Sequence, residues 1–389
     1  MRDYQGVSLC VPVSRDYVRN STHAAPWFIG RVLRDLLANS GLKKSDIDGF
    51  SVASFGLAPD SVVTLCEYLG TEPRWLDALP YGGASGLLAI QKAARAVQCG
   101  DAEVVACIGG DTSAPGNFKE LVADFSTFTR DAGFPYGAAG PNGVFALITQ
   151  HFMDKYGVTR EDFGRLCVAQ RYNANHYGAA LLGHKKLKHL DYLSGPEIAS
   201  PLHLFDCVMP CAGGEGLLVM STDRARHLNL ARVEIAALGQ IFNAYSSDAI
   251  QTRTGAAAIA PELYDQAGMG PENLDMVQTY DDYPVMSLMQ LTDLGICKEG
   301  QAAQFLRERI TTFDGGDIPH NTSGGQLGVG QAGAAAGFLG LVEAIRQLTA
   351  SAVDNQVPNA RTALVSGYGM VNYDRGLCSA VGIFRAGSR

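Results

Sequence analysis

The sequence predicts an α/β fold made of two similar halves. Hydrophobic runs that suit buried strands alternate with helical segments along the whole chain. A glycine-rich turn leads into an apolar helix twice, in residues 81–93 and again in residues 321–347. A turn followed by a strand also occurs twice, in residues 43–54 and 271–280. Because the same succession of elements recurs, we expect the halves to be related by a pseudo-two-fold axis with a shared centre.

The first half alternates strands and helices, which indicates a largely parallel, helix-covered sheet. A helix is predicted over residues 26–40 because apolar residues recur there at helical spacing, and Gly41 is a suitable C-cap. The remaining elements expected before residue 111 are a strand at 7–11, a turn and strand at 43–54, helices at 61–69 and 85–99, and a buried strand at 103–110.

The middle of the chain is less regular. Residues 111–143 show no convincing periodicity, and their aromatic side chains favour an ordered lid. Helices are predicted at 144–156 and 160–177, residues 178–205 have no clear pattern, and a glycine-led strand follows at 213–221.

The second half repeats the order of the first. The elements expected are strands at 233–240, 271–280, 361–369 and 377–384, and helices at 256–267, 284–294 and within 321–347. At 389 residues the chain can bury two domain-sized cores. We therefore predict an N-terminal half, residues 1–230, that includes a loop domain over about 111–205, and a C-terminal half, residues 231–389.

The composition argues against a polyanionic partner. The formal net charge is −8, which disfavours nucleic acid. The basic run at 184–189 is a local exception, either a solvated loop or a contact for a phosphate group such as that of a nucleotide. No run of about 18 apolar residues suggests a membrane span, and the N-terminus lacks the pattern of a signal peptide. We expect a cytoplasmic protein without nucleic-acid or membrane partners.

The nine cysteines are scattered along the chain, mostly within apolar runs, as is typical of reduced thiols. The sequence contains no Cys-x-x-Cys pair, and Cys207 and Cys211 lack a matching second pair. No zinc site is therefore expected within the chain.

The two glycine-rich turns are candidates for an anion-stabilising centre. A helix that begins at glycines presents free backbone N–H groups, which can stabilise a developing negative charge. The alternative is that the glycines only permit a tight turn and a close helix crossing. Two such turns in one chain favour the first interpretation, with both turns contributing to one site.

The sequence resembles the thiolase superfamily, and within it the sterol-carrier-protein-type thiolases and the thiolase-like lipid-transfer proteins. The resemblance covers nearly the whole chain and rests on the motifs at 83–87, 206–216, 280–283, 321–325 and 366–370. It implies the thiolase fold, in which two pseudo-symmetric βαβαβαββ halves form five αβαβα layers with an inserted loop domain.

The sequence departs from the family at each reactive position. The nucleophilic cysteine of the family's Cys-Ala-Ser-Gly turn is Gly83, and the His-Asp-Cys-Phe motif reads Tyr280-Asp-Asp-Tyr283. The histidine of the Gly-His-Pro motif is Gln331, and the Cys-x-Gly motif reads Ser366-Gly-Tyr368. The resemblance therefore implies a thiolase-like site without acyl transfer to cysteine.

What this sequence retains of the family's chemistry is the stabilisation of an acyl-CoA enolate. The N–H groups of Gly83 and Tyr368 correspond to a thiolase oxyanion hole, and the Gln331 amide can donate a hydrogen bond to an enolate oxygen but cannot carry a proton away. This chemistry suits a thiolase-like acyl-CoA aldolase, which cleaves a β-hydroxyacyl-CoA by a retro-aldol step. Some steroid side-chain enzymes of the superfamily work in this way.

Tyr280 is the first candidate for the proton-transfer group, with Asp281 or Asp282 as its orienter or as the base itself. A free tyrosine has a pKa of about 10 and needs a polarising neighbour to act near neutral pH. The alternative is that Tyr280 and Tyr283 only pack the strand end, while Asp282 caps the next helix.

Four further residues are candidates for lining the pocket: Ser85, at the family's structural serine position, and Cys211, Tyr245 and Asn321. Ser366, in the altered Cys-x-Gly motif, is grouped with Gly83 and Tyr368 at the oxyanion hole. A buried cysteine is often only a small apolar side chain, so Cys211 has two interpretations.

Two rival functions remain open at the level of sequence. One is thiolase or acyltransferase activity on a β-ketoacyl-CoA, using Cys211 or direct attack by CoA. The other is a non-catalytic subunit that binds acyl-CoA or scaffolds an active partner.

The resemblance also implies the ligands and partners. Coenzyme A is expected only as part of the substrate or product, with no permanently bound cofactor. A homodimer is expected, as is a small zinc-ribbon/OB-fold subunit of the DUF35 type that would carry any zinc. We expect the acyl-CoA and this subunit to contact residues 111–143 and 178–205, where the aromatic residues hint at a bulky ring-bearing acyl group.

Overall fold

The computed structural model describes residues 3–115, 126–138, 140–372 and 375–387. The strands are β1 Val7–Val18, β2 Gly49–Ala53, β3 Trp75–Ala78, β4 Val104–Asp111, β5 Glu197–Ala199, β6 Leu202–His203, β7 Ala212–Ser221, β8 Arg232–Phe242, β9 Met276–Thr279, β10 Thr362–Asn372 and β11 Arg375–Ala386. The helices are α1 Ala25–Ser40, α2 Val62–Leu69, α3 Ser85–Cys99, α4 Gly140–Tyr156, α5 Arg160–Asn175, α6 His189–Leu193, α7 Thr222–His227, α8 Ala256–Ala267, α9 Pro284–Asp293, α10 Ala302–Glu308, α11 Gly325–Val329 and α12 Ala336–Leu348.

Nine of these strands form one sheet in the order β3-β2-β4-β7-β1-β8-β11-β10-β9. In one half, β2 runs parallel to β4, and β7 and β1 follow antiparallel. In the other half, β9 runs parallel to β10, and β11 and β8 follow antiparallel. The succession β1, β2, β4, β7 thus recurs as β8, β9, β10, β11, which is the repetition expected from the sequence.

The halves meet through a short pairing of β1 with β8 and through two buried helices. Residues 8–10 of β1 pair antiparallel with residues 232–234 of β8. Helices α3 and α12 lie together in one apolar core with side chains from strands of both halves. Their approach requires glycine, because a Cβ atom on Gly86 would lie against the carbonyl oxygen of Gly337.

The outer helices complete the layers. Helices α1 and α2 pack on the first half of the sheet in one apolar core, and α8 and α9 pack on the second half in another. The layers follow the order α1/α2, the first half of the sheet, α3/α12, the second half of the sheet, and α8/α9. These are the five αβαβα layers that the family resemblance implies. The division of the chain at residue 230 and the loop domain over 111–205 stay predictions.

Two local expectations were wrong, and one short helix was missed. The apolar helix expected after the glycine-rich stretch is α12, which begins at Ala336, but the stretch itself contains the unpredicted helix α11, which ends before Gly330, with Gly330 and Gly333 at positive φ between the two helices. Residues 178–205 contain the short helix α6 and the β5–β6 hairpin. Strand β1 continues well beyond residue 11, with an irregularity in its pairing to β7.

The predicted lid at 111–143 lies partly outside the described residues, at 116–125 and 139. Within the described part, residues 129–133 and 134–136 form single helical turns. None of the described helices is long and apolar enough to cross a membrane.

Candidate active site

Three segments that are distant in the sequence converge at the start of α3. They are the turn at 82–84, the residues that follow β9, and the link between α11 and α12 that carries Gln331. Tyr280 lies between them, because its ring contacts Gly83 and the Gln331 side chain lies near enough to its phenol to lower the phenol's pKa. The structure therefore brings Gly83, Tyr280 and Gln331 to one place.

Gly83 leaves no room for a side chain. A Cβ atom there would lie 2.5 Å from Cε2 and 2.6 Å from Cζ of Tyr280, and it would also collide with the Tyr368 carbonyl oxygen. Real Cβ atoms essentially never come so close to backbone or ring atoms. The phenol of Tyr280 thus occupies the space that a cysteine at position 83 would need.

The Tyr280 phenol is buried and lies beside two polar side chains. Its hydroxyl donates to Oδ2 of Asp282 at 3.0 Å, and the nearby Gln331 side chain acts against the rise in the phenol's pKa. Burial and the neighbouring Asp282 charge raise the pKa of Tyr280 well above its ordinary value of 10.0. The phenol is therefore neutral near pH 7 and can relay a proton, but it is not by itself a base.

Asp282 is the group beside Tyr280 that titrates near neutral pH. Burial raises the pKa of Asp282 to about 7, against the lowering effect of the Tyr280 hydrogen bond. Its Oδ1 atom is buried and has no hydrogen-bond partner among the described residues. A carboxylate with one unused oxygen and this pKa suits a general base. It does not cap α9, whose N-cap residue is Tyr283 without a side-chain cap bond.

Asp281 points the other way, toward the start of α11. Its carboxylate accepts from the backbone N–H of Gln326 at 2.8 Å and of Leu327 at 3.4 Å, and from Nε2 of Gln170 at 2.9 Å. The residue is fully buried. Asp281 therefore fixes α11, and through α11 the segment that carries Gln331, rather than contacting the Tyr280 hydroxyl.

Gln331 is fixed on both its backbone and its side chain. Its N–H donates to the Met209 carbonyl at 2.9 Å, and its carbonyl accepts from the Cys211 N–H at 3.0 Å. Its amide exchanges two hydrogen bonds with the backbone of Gly333, at 3.2 and 3.3 Å. These contacts hold the amide near the Tyr280 phenol, whose pKa it lowers.

Ser366 and the buried Gln290 anchor the backbone of Tyr280. Gln290 accepts from the Tyr280 N–H at 3.2 Å and donates to its carbonyl at 2.7 Å, and the Ser366 hydroxyl donates to the Gln290 amide oxygen at 2.6 Å. Sequence reasoning missed Gln290. The available signal was one glutamine within the otherwise apolar stretch of α9.

Tyr368 contacts the site through its backbone. Its carbonyl oxygen lies at the position that a side chain on Gly83 would need, while its hydroxyl bonds Gln251 and accepts from the Gly376 N–H on the other face of the sheet. This contact involves the Tyr368 carbonyl, which can only accept a hydrogen bond. It does not test whether the N–H groups of Gly83 and Tyr368 form a pair of donors, so that pair stays a prediction.

The remaining candidates lie around the site or away from it. Ser85 is fully buried, and its hydroxyl donates to the Leu79 carbonyl at 3.5 Å. Asn321 accepts from the Thr279 N–H at 2.8 Å, and so supports the strand that precedes Tyr280. Tyr245 lies in the segment between β8 and α8, where the Arg253 guanidinium covers its ring at 3.7 Å.

Cys211 is buried behind the Gln331 segment. It belongs to an apolar cluster with Tyr17 and Tyr177, and a Cβ atom on Gly330 would lie 2.7 Å from its Sγ. Burial raises the pKa of its thiol far above the ordinary value of 9.0. Such a thiol is a poor nucleophile. Among the described residues, no cluster of three His, Cys, Asp or Glu side chains could hold a metal ion.

The site is closely packed, and its rim is apolar. A cavity of about 10 Å³, close to the size of one water molecule, is lined by Gly83, Tyr280 and Ser366 among others. On the outer side of Gly82 lie the half-exposed side chains of Phe55 and Met370, each 3.7 Å from a Cβ built on that glycine. A ligand that reaches Tyr280 from this side would pass apolar atoms.

The comparisons with known proteins agree with this geometry. Residues 242–377 match the family described as Thiolase C-terminal domain-like. The chain is 30% identical over 345 residues to a steroid side-chain-cleaving aldolase of Thermomonospora curvata, an alignment that covers 85% of this chain and 86% of that protein. It is 28% identical over 365 residues to a 17-hydroxy-3-oxo-4-pregnene-20-carboxyl-CoA lyase of Mycobacterium tuberculosis, with 90% and 93% covered.

Solved structures give the same result. One described as an Ltp2-ChsH2(DUF35) aldolase superposes with a TM-score of 0.84 at 27% identity, covering 98% of both chains. A monomeric SCP2-thiolase-like protein of Mycobacterium smegmatis has a TM-score of 0.72 at 14% identity, covering 100% of this chain and 79% of that one, which supports the fold alone. This chain belongs to the thiolase superfamily, and the predicted thiolase fold is confirmed.

Proposed function

We propose that this protein is a C–C lyase that cleaves a β-hydroxyacyl-CoA by an aldol-type reaction, without an acyl-cysteine intermediate. One observation carries the proposal. The Tyr280 phenol fills the space in front of Gly83 and bonds a carboxyl group whose pKa is raised to about 7. Relatives named aldolase and lyase support the same class of reaction.

The proton chemistry is assigned to Asp282 and Tyr280. Ionised Asp282 takes the proton of the substrate's β-hydroxyl group, directly or through the Tyr280 phenol. The oxygen lone pair forms a carbonyl group, the Cα–Cβ bond breaks, and its electron pair becomes the enolate of the thioester. The proton held by the pair then returns to Cα. The products are an aldehyde or ketone and a shorter acyl-CoA, so water, free CoA and redox partners are not consumed.

The enolate oxygen needs hydrogen-bond donors at the moment when its charge develops. The Gln331 amide is the side-chain donor that we assign, because it already lies at the Tyr280 hydroxyl. The N–H groups of Gly83 and Tyr368 are the proposed backbone donors, as the family resemblance implies. Asp281 is assigned a positioning role through α11.

The thiolase alternative lacks a suitable nucleophile at the site. Position 83 is glycine, and the Cys211 thiol is buried behind Gly330 with a strongly raised pKa. A direct attack by CoA on a β-ketoacyl-CoA would also need a base for the CoA thiol, so Asp282 does not separate that route from aldol cleavage, whereas the relatives named aldolase and lyase favour the latter. We therefore place aldol cleavage first.

The ligands and partners follow from the relatives and from the rim of the site. A CoA thioester is named for one of the relatives, and the apolar atoms of Phe55 and Met370 suit an apolar acyl group. The similar aldolase structure carries a DUF35 chain in its description, so we propose a small zinc-ribbon/OB-fold subunit of that type, which would hold any zinc. A homodimer is proposed from the family resemblance alone, and a cytoplasmic location from the sequence.

The test is turnover of a β-hydroxyacyl-CoA by the purified chain with its DUF35-type subunit. Tyr280→Phe is expected to lower kcat by about 10²- to 10⁴-fold, the usual contribution of a proton-transfer group. Tyr264→Phe is the matched control, since this partly buried phenol donates to the Leu294 carbonyl at 2.7 Å and lies outside the site. Full turnover by Tyr280→Phe would refute the assignment, and absence of turnover by the wild type would favour the non-catalytic subunit.

A further inference from the structure

Asp111, the last residue of β4, is a buried carboxylate that joins separate segments of the chain. Its side chain accepts from the Ser54 hydroxyl at 2.8 Å, the Phe55 N–H at 3.0 Å, the Gly56 N–H at 2.6 Å and the Ala334 N–H at 2.7 Å. The residue is 3% exposed. Four donors on one buried carboxylate give a strong local constraint, because each N–H left without a partner would be costly.

One of these bonds reaches the segment that carries Gln331. A Cβ atom on Gly333 would collide with the Asp111 carboxylate, and Gly333 has a φ of 53°. The Gln331 amide bonds both the N–H and the carbonyl of Gly333. Hydrogen bonds therefore connect the carboxylate to residue 334 and the Gln331 amide to the adjacent residue 333, and this amide lies near enough to the Tyr280 phenol to lower its pKa.

The same segment is held from its other end by a second carboxylate. Asp281 accepts from the N–H of Gln326, five residues before Gln331, and Asp111 accepts from the N–H of Ala334, three residues after it. The link between α11 and α12 thus lies between two buried carboxyl groups. Asp111 also fixes Phe55, whose ring contacts the rim at Gly82.

We infer that Asp111 is a positioning residue for the reaction: it fixes the Gln331 amide relative to the Tyr280 phenol through the backbone of residues 333–334. The inference rests on the proposed function and names a residue that neither the altered motifs nor the family resemblance singled out. A side chain placed even about 1 Å from its productive position can cost two orders of magnitude in rate.

The experiment is a double-mutant cycle between Asp111→Asn and Gln331→Ala in the full chain with its partner subunit. Each single variant is expected to lower kcat by about 10- to 100-fold with little change in KM. If Asp111 acts through Gln331, the double variant should be no slower than the slower single variant. Multiplied losses, or an unchanged kcat in Asp111→Asn, would overturn the inference.

Asp275→Asn is the matched control. This carboxylate also accepts backbone N–H groups, from Arg361 and Thr362 at 2.8 Å each, but at the opposite end of strands β9 and β10. It is expected to lower the melting temperature without changing kcat of the folded protein. Ser54→Ala removes one donor from Asp111 and is a milder variant, to be used if Asp111→Asn fails to fold. We expect Ser54→Ala to lose activity several-fold.

Amide hydrogen exchange separates this inference from the proposed function. In Asp111→Asn, or in Ser54→Ala where the first variant does not fold, exchange at residues 331–336 should be faster than in the wild type and in Asp275→Asn. An inactive wild type with this exchange pattern would refute the lyase but keep the Asp111 constraint. Unchanged exchange would overturn the constraint whatever the activity.

Discussion

The two glycine-rich turns have similar sequences but are fixed in different ways. The first, at 82–84, has no side-chain cap and is held by packing, with Gly83 pressed between the Tyr280 ring and β10. The second, between α11 and α12, is bonded to the buried carboxylates of Asp281 and Asp111. The first turn therefore contributes space and backbone, while the second holds a side chain in a set position.

This difference explains how a thiolase fold can form a reaction site without its nucleophilic cysteine. The Tyr280 phenol fills the space where the family has its nucleophilic cysteine. The position of the family's histidine carries the Gln331 amide, which is hydrogen-bonded to the backbone of Gly333. We assign the proton-transfer role to Asp282, whose pKa is raised to about 7. Each of the following changes tests one side of the comparison.

The largest effect is expected at Gly83. Gly83→Cys should not restore a thiolase, because its Cβ would collide with Tyr280 and Tyr368, and overpacking of this kind costs about 1–3 kcal/mol of stability. We expect a lowered melting temperature and no measurable lyase activity. Gly178→Ala is the control, since nothing lies within 4 Å of its Cβ position. A stable Gly83→Cys protein that forms an acyl-cysteine would contradict our view of this turn.

Asp282→Asn is expected to lower kcat by about 10²- to 10⁴-fold. In the wild type, kcat/KM should rise with pH through about 7 as Asp282 ionises, and the variant should lose this limb of the profile. A pH profile of the wild type that is flat between pH 6 and 8 would argue against Asp282 as the base.

Stability gives an independent check on the same residue. The folded protein holds the Asp282 proton more tightly than the unfolded chain, whose ordinary carboxyl pKa is about 3.9. The Asp282 contribution therefore weakens stability as the pH rises from about 4 to about 7. Asp282→Asn should then unfold at a higher temperature than the wild type at pH 8, although it is inactive. Equal or lower stability at that pH would show that Asp282 is not a strained, buried carboxylate.

Gln331→Ala tests the second turn directly. Loss of one donor to a developing oxyanion costs about 10²- to 10³-fold at strong sites, and we expect about 10- to 100-fold in kcat here because backbone donors are also assigned. Gln304→Ala is a suitable control, since this exposed amide only bonds Glu308. A change confined to KM would mean that Gln331 binds substrate and does not stabilise the transition state.

The smallest effect is expected at Cys211. Cys211→Ala removes a buried thiol with a raised pKa, so kcat should stay within about threefold of the wild type. Steady-state kinetics on the β-hydroxyacyl-CoA would check this. A loss as large as that of Asp282→Asn would revive the thiolase alternative.

The sequence was sufficient for the architecture because its repeated pattern and its glycines are local signals. Helices α3 and α8 begin and end where the pattern predicts, and Gly41 and Gly100 end their helices in the left-handed conformation. The short helix α11 and the link that follows it were missed, because positive φ at Gly330 and Gly333 is a tertiary feature that apolar periodicity does not report.

The site was only partly predictable for a similar reason. Motif positions pointed to Tyr280 and Gln331, but the sequence could not tell which of two adjacent aspartates faces the phenol. The two aspartates lie in the irregular segment between β9 and α9, where no periodicity fixes side-chain direction, and Asp281 turns to α11 while Asp282 stays at Tyr280. Gln290 reaches the site from an apolar helix whose pattern gives no sign of its partner.

The central claim is that the carbon–carbon bond is cleaved without an acyl-enzyme. The most direct measurement is a reaction of the chain and its DUF35-type subunit with a β-hydroxyacyl-CoA in the absence of free CoA, analysed for products and for the mass of the intact protein. We predict equal amounts of a carbonyl product and a shorter acyl-CoA, with no mass added to the chain. A requirement for free CoA, or an acyl group found on any cysteine, would contradict the account.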